Sequence, residues 1–405
     1  MRALAASLGG WAEGLRGLPP GVWVIVGGAF LGRCGSFVVP FLMLFLTGER
    51  GANPATAGLV VAAFGAGSVV GSLVGGTLAD RIGRKPVMVG AMALSATVMP
   101  WIPTLDSLWA IGGALALIGG MTDMYRPASS AAIGDMVGEG QRVRAFGLIY
   151  WAANLGSAIA PVLGGALAVW GGHKLLYWSN AAVFAVYAVL LLVLFRESRP
   201  ERAAGTPAGS GRGGLRAAFA DPVVWSVSGG SFLCASLFFQ AYTTLPLAMR
   251  AAGFGTTDYG IAVAMNGLAV VAFSLPVAAL VAGMDPKRVL TVGGLLMGGG
   301  VALTGLAGTV PAFAAIVVLW TIGEILTAPV APAVLSRAAP PDRRGAYQAT
   351  LTAAWSLAAV AGPVLGGLAI GLHPQAVWIG CGVVGLLAAA CFAALPRRTA
   401  PGGLT

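Results

Sequence analysis

GTLADRIGRKP, residues 76–86, interrupts the apolar sequence between the runs that begin at residues 53 and 87. A short polar string flanked by runs of that length reads as a turn at a membrane surface. Gly76 lets neighbouring helices approach closely, and Gly83 permits a tight left-handed turn. Asp80 can cap a helix or meet a cation. Arg81, Arg84 and Lys85 belong on the cytoplasmic side, where basic residues accumulate in membrane proteins.

Working outward, the composition supports a membrane reading. The 405 residues are 57% hydrophobic and 9% charged, too few charges to cover a soluble protein of this size. Runs of about 20 apolar residues cross ~30 Å of hydrocarbon as helices. Twelve are predicted: 20–46, 53–79, 87–103, 108–136, 144–170, 175–195, 221–250, 257–282, 287–309, 311–338, 344–370 and 375–395. An even number places both termini on one side. That side carries 19 Lys and Arg residues against three, Arg50, Lys174 and Arg250, on the other. The termini are therefore expected to be cytoplasmic. The net charge of +10 then reflects topology, and no nucleic-acid partner is expected. Residues 1–19 show no removable signal pattern. Cys34, Cys234, Cys381 and Cys391 lie inside apolar runs without metal-ligand spacing and read as packing residues. No metal, cofactor or catalytic constellation is expected, so the chain is not read as an enzyme.

The sequence repeats at an offset of 202 residues. Gly27-Gly28 and Phe30-Leu31 recur as Gly229-Gly230 and Phe232-Leu233. Gly58 and Gly65 match Gly260 and Gly267, Pro127 matches Pro329, and Arg142 matches Arg344. The run 161–165, PVLGG, returns at 363–367. The expected organisation is a cytoplasmic segment 1–19, a six-helix bundle 20–195, a linker 196–220, a second bundle 221–395 and a cytoplasmic tail 396–405. The linker is rich in Pro, Gly, Ser and Arg, as a flexible connection requires.

Charges in the middle of membrane helices are costly and mark function. There are four: Arg33 in span 1, Asp123 and Arg126 in span 4, and Glu324 in span 10. Their repeat positions hold Ala235, Ile325, Ala328 and Thr122, so the common scaffold does not require them. Asp123 and Arg126, three residues apart, can pair on one helix face. Glu324 has no basic residue within a turn of its own helix. It is the first candidate proton carrier, and Asp123 the second. Gln240, Tyr242, Asn266, Asn154 and Trp355 are further candidate cavity residues. His173 and His373 read as solvated turn residues.

The string 76–85 matches G-x-L-x-D-R-x-G-R-K and resembles the helix 2–3 loop signature of the major facilitator superfamily. The resemblance covers residues 20–395. It implies an all-α integral membrane fold of 12 transmembrane helices in two pseudo-symmetric six-helix bundles, with helices 1, 4, 7 and 10 lining a central cavity. It also implies a conformational latch of Gly76, Asp80, Arg81, Gly83, Arg84 and Asp135, with Gly345 near the start of helix 11 as a further partner. Gly147, Gly156, Ala160-Pro161 and Gly164 resemble the helix 5 antiporter signature, with Ala160 in place of one glycine. One feature departs from drug/proton antiporters: the arginine of mid-helix 4 is missing at 116–117. The coupling scheme built on that arginine does not transfer.

The resemblance implies a proton-coupled exporter of small amphipathic drugs or metabolites, working by alternating access as a monomer. The expected location is the bacterial inner membrane. Its partners would be a small-molecule substrate, protons and the lipid bilayer. The alternative is a proton-coupled symporter of a sugar, peptide or organic anion, with Arg33 and Arg126 binding a carboxylate.

Overall fold

The computed structural model describes residues 18–196, 216–281, 283–340 and 343–396; most of the linker and most of both terminal tails lie outside them. Among the described residues twelve membrane-spanning helices follow one another, the fifth and sixth being separated by the kink at Gly171-Gly172. They are α1 (Pro20–Gly48), α2 (Pro54–Ile82), α3 (Arg84–Thr104), α4 (Leu108–Met136), α5 (139–170) and α6 (173–194). The second set is α7 (Pro222–Ala251), α8 (Thr256–Val281), α9 (Pro286–Leu306), α10 (Val310–Ala338), α11 (Arg344–Leu372) and α12 (Pro374–Ala393). Helix α5 begins earlier than the hydropathy suggests, at Glu139, because polar residues of its first turn continue the helix beyond the hydrocarbon.

The turns follow from local chemistry. Asn53, Ser107, Asp221, Asp285 and Thr309 accept backbone N–H groups at the starts of α2, α4, α7, α9 and α10, as N-caps should. Ser107 and Thr309 occupy equivalent repeat positions. Gly83 separates α2 from α3 with φ +104°, a backbone state that a side chain would strain. Between α5 and α6 the backbone leaves helical values at Gly171-Gly172.

Helices α1–α6 form one bundle and α7–α12 the other. Glycine sets the closeness within each. A Cβ at Gly67 would lie 1.8 Å from Ala116 O, and one at Gly71 1.9 Å from Gly120 O, so α2 and α4 touch backbone to backbone. In the second bundle Gly298 of α9 meets Gly385 of α12 in the same way. Small residues are what allow membrane helices to associate without a hydrophobic driving force. Outward-facing Trp109, Trp170, Val193, Leu306 and Leu372 are exposed, as lipid contact requires.

The face that carries residues 18, 196, 216 and 396 is called the terminal face, and the opposite one the far face. The two bundles meet along α2–α11 and α5–α8. A Cβ on Gly58 would lie 2.4 Å from Pro363 O, and one on Gly260 2.4 Å from Pro161 O. Gly65 abuts Ala359, and Gly267 abuts Ala158. Gly367 meets Pro54 O, while Gly165 meets Thr256 O. These glycine contacts between bundles all lie in the halves of the helices nearer the far face. The bundles are thus closed at the far face.

His173 is corrected by the structure. It begins α6 rather than lying in a solvated turn, and its Nδ1 is 2.5 Å from Glu49 Oε1 at the end of α1. Its side chain is only 15% exposed, because α1 returns to the same corner of the bundle.

Candidate functional site

Two of the helices expected to line the cavity break at the level of the candidate charges. Helix α1 is interrupted at residues 35–37, just after Arg33, and α7 at Phe239 and again at Thr244. Gly156 of α5 seats this part of α1: a Cβ there would lie 2.6 Å from Phe30 O and 2.8 Å from Arg33 Cβ. Arg33 is exposed, yet it interacts electrostatically with Asp123, Arg126 and Tyr242 from α4 and α7. Its exposed surface therefore faces an opening inside the protein and not lipid.

On α4, Arg126 Nε lies 2.9 Å from Asp123 Oδ1. The Asp123 side chain is 25% exposed and that of Arg126 63%, so this pair also borders the opening. On the other bundle, Asn266 of α8 donates from Nδ2 to Glu324 Oε2 at 2.8 Å and to Thr321 Oγ1 at 2.9 Å. Thr321 in turn donates to Val317 O at 2.7 Å. Glu324 is thus oriented by a neutral amide that belongs to a different helix. Tyr150 of α5, from the first bundle, and Tyr242 of α7, from the second, both feel the charge of Glu324.

Phe238 is the centre of an aromatic cluster. Its ring packs edge-on against Tyr242, Trp320 and Trp355 at centroid distances of 5.5, 5.9 and 5.8 Å. Trp355 is half-buried in this cluster. Gln240, expected on the cavity, is buried and ties α7 to α11 through Nε2 donating to Gly362 O at 3.1 Å. Gly366 leaves the room it occupies, since a Cβ there would lie 2.2 Å from Gln240 Oε1. Asn154 donates to Tyr150 O on its own helix at 2.9 Å.

The latch residues lie at the terminal face. Arg84 Nε is 3.0 Å from Asp135 Oδ2, joining the start of α3 to the end of α4. Arg84 is buried and Arg81 exposed. Gly76 and Asp80 fall within α2, but they and Gly345 are outside the residues whose side chains are described. Of the helix 5 pattern, Gly164 packs on the Phe41 ring, and the Pro161 carbonyl meets Gly260. Gly147 has open space around it. Among the described residues no cluster of His, Cys, Asp and Glu could hold a metal.

Tyr150, Thr321, Phe238 and Trp320 were not singled out from the sequence. Thr321 had one available signal: it lies one helical turn before Glu324.

Residues 25–257 and 241–404 match the Major Facilitator Superfamily, and the chain belongs to that family. It is thus a membrane transporter and not an enzyme. It is 29% identical over 360 residues to the uncharacterized MFS-type transporter YqjV of Bacillus subtilis (strain 168), covering 86% of each chain. A Na(+), Li(+), K(+)/H(+) antiporter of Planococcus maritimus is 25% identical over 392 residues, with 88% of this chain and 89% of the relative covered. The class G tetracycline resistance protein of Vibrio anguillarum is 27% identical over 330 residues, covering 71% and 74%. Among solved structures, a point mutant of the nucleoside transporter NupG has a similar fold, with a TM-score of 0.77 at 15% identity over 92% of this chain and 99% of that one.

Proposed function

We propose that the protein exports small amphipathic molecules by proton antiport, the two bundles rocking about the central opening. The observation that carries this reading is the unequal pairing of the two cavity acids. Asp123 is ion-paired to Arg126, so a proton reaching it must displace a guanidinium. Glu324 is held by the neutral Asn266 amide and can exchange a proton without breaking an ion pair. Tyr150, Tyr242 and Thr321 complete its polar surroundings. Glu324 is the proton-coupling group in this scheme, with Asp123 and Arg126 shaping the cavity. The antiporter relative supports exchange with protons, and the tetracycline-resistance relative supports tetracycline as a probe. The excess of basic residues on the terminal face supports a cytoplasmic terminal face in an inner membrane. The cavity would then face the cytoplasm in this conformation, ready to load an exporter.

The test uses proteoliposomes carrying a pH gradient and an internal pH dye, with tetracycline as the probe. Wild-type protein should couple tetracycline movement to proton flux. Glu324→Gln should lose uphill transport even where it still binds tetracycline, whereas Asp123→Asn should weaken binding by releasing Arg126. Uphill transport by Glu324→Gln would refute the assignment. A second reading, proton-coupled symport of a sugar, peptide or organic anion, draws on the exposure of Arg33 and Arg126 to the cavity. The same vesicles separate the two, since substrate and protons would then move in one direction.

A further inference from the structure

The opening has two unlike walls. The α1 and α4 wall carries Arg33, Arg126 and Asp123, and Asp123 is already engaged by Arg126 at 2.9 Å. Arg33 is left as a cation that Asp123 does not neutralise on its own. The opposite wall carries Glu324, fixed by Asn266 and Thr321. The basic residues described in α7–α12 and their turns, such as Arg250, Lys287, Arg288, Arg337 and Arg343, stand at helix ends and not at this level. Tyr242 of α7 feels the charge of both Arg33 and Glu324. Its ring belongs to the Phe238, Trp320 and Trp355 cluster.

We propose that this site selects aromatic zwitterions, whose carboxylate meets Arg33, whose ammonium meets Glu324, and whose apolar body lies on the Phe238–Tyr242–Trp355 cluster. The inference rests on the exporter reading and deepens it. The physical case is one of complementarity. An uncharged guest strips water from Arg33 and Glu324 and gives neither an ionic partner, which is costly. A simple cation satisfies Glu324 but faces Arg33, and a simple anion does the reverse; like charges across an interface are penalised. A zwitterion matches both walls at once. The anchors are also held in place before binding: Gly156 seats the base of Arg33, and Asn266 orients the Glu324 carboxylate. Less ordering is then needed on association.

The experiment measures calorimetric binding to full-length protein in lipid nanodiscs. The probes are an aminomethyl-naphthoic acid and its longer aminopropyl homologue, each with its methyl ester (a cation) and its N-acetyl acid (an anion). At least one zwitterion should bind wild-type protein about tenfold or more tighter than both its derivatives. Arg33→Gln should abolish the preference over the ester, and Glu324→Gln the preference over the N-acetyl acid. Equal binding of zwitterion and ester, or of zwitterion and N-acetyl acid, would overturn the proposal in wild-type protein alone, whatever the variants do. Binding of neither zwitterion would overturn it too. Proton-coupled tetracycline movement in the vesicles described above would in that event leave the exporter reading standing; its absence would remove both.

Discussion

Adding one methyl group at Gly58 and at Gly260 should open the far face. In the closed arrangement the Cβ of Gly58→Ala would lie 2.4 Å from Pro363 O, and that of Gly260→Ala 2.4 Å from Pro161 O. Ordinary contact begins near 3.4 Å, so each helix pair must part by about 1 Å. A gap of that size forfeits roughly a quarter to a half of the local dispersion attraction, and overpacking of this kind costs ~1–3 kcal/mol. Each single substitution should therefore lower the closed-to-open ratio by roughly five- to a hundredfold, with 1.4 kcal/mol per factor of ten. The two contacts lie on different helix pairs, so their effects should add. Spin labels at Asp106, in the far-face turn between α3 and α4, and at Leu306, the exposed far-face end of α9, would report the separation after the four native cysteines are replaced. Gly90→Ala, where a Cβ meets nothing within 4 Å, is the control. The label distances should lengthen in each single variant and further in the double variant. A double variant with the wild-type distance distribution would refute the claim that these glycines hold the closure.

Other expectations follow from the turns and the charges. Arg84→Gln removes one charged partner of Asp135 and should destabilise the protein by ~1–3 kcal/mol in thermal unfolding; Asp135 retains 23% side-chain exposure, which keeps the loss below that of a fully buried pair. An unchanged midpoint would show that the contact carries no stability. Gly83→Ala forces a side chain onto φ +104° and should cost ~1–2 kcal/mol, lowering the unfolding midpoint, whereas Gly90→Ala should leave it unchanged. In a cysteine-free background of intact cells, a cysteine at position 208 should be protected from impermeant thiol reagents, while one at the exposed far-face position 106 reacts. The reverse pattern would invert the orientation.

Local features were legible in the sequence. Hydropathy located the spans, the turn required Gly83, and the three-residue spacing of Asp123 and Arg126 anticipated their contact. The family signature brought Arg84 and Asp135 together on paper, and they are 3.0 Å apart. Contacts between distant helices carried no local mark. Nothing around Asn266 announces that its amide orients Glu324, 58 residues away. The same is true of Gln240, whose side chain reaches Gly362 across to another helix. The repeat did pair Gly58 with Gly260 and Pro161 with Pro363. Periodicity alone could not reveal that each glycine meets the proline of the other half. His173 was misread for a related reason: Glu49 lies 124 residues away, and its approach depends on where α1 ends.

The far-face closure has the geometry of an isologous dimer contact. Gly58 touches Pro363 as Gly260 touches Pro161, and Gly367 touches Pro54 as Gly165 touches Thr256, each pair exchanged by the 202-residue offset. In a two-fold assembly the same patch on each subunit meets its own copy; here both copies belong to one chain. The closure is therefore two seams, one on either side of the pseudo-axis, and each can be cut separately. Parting both admits water along the axis. Parting one turns the other into a hinge, and the resulting slit opens sideways into the bilayer.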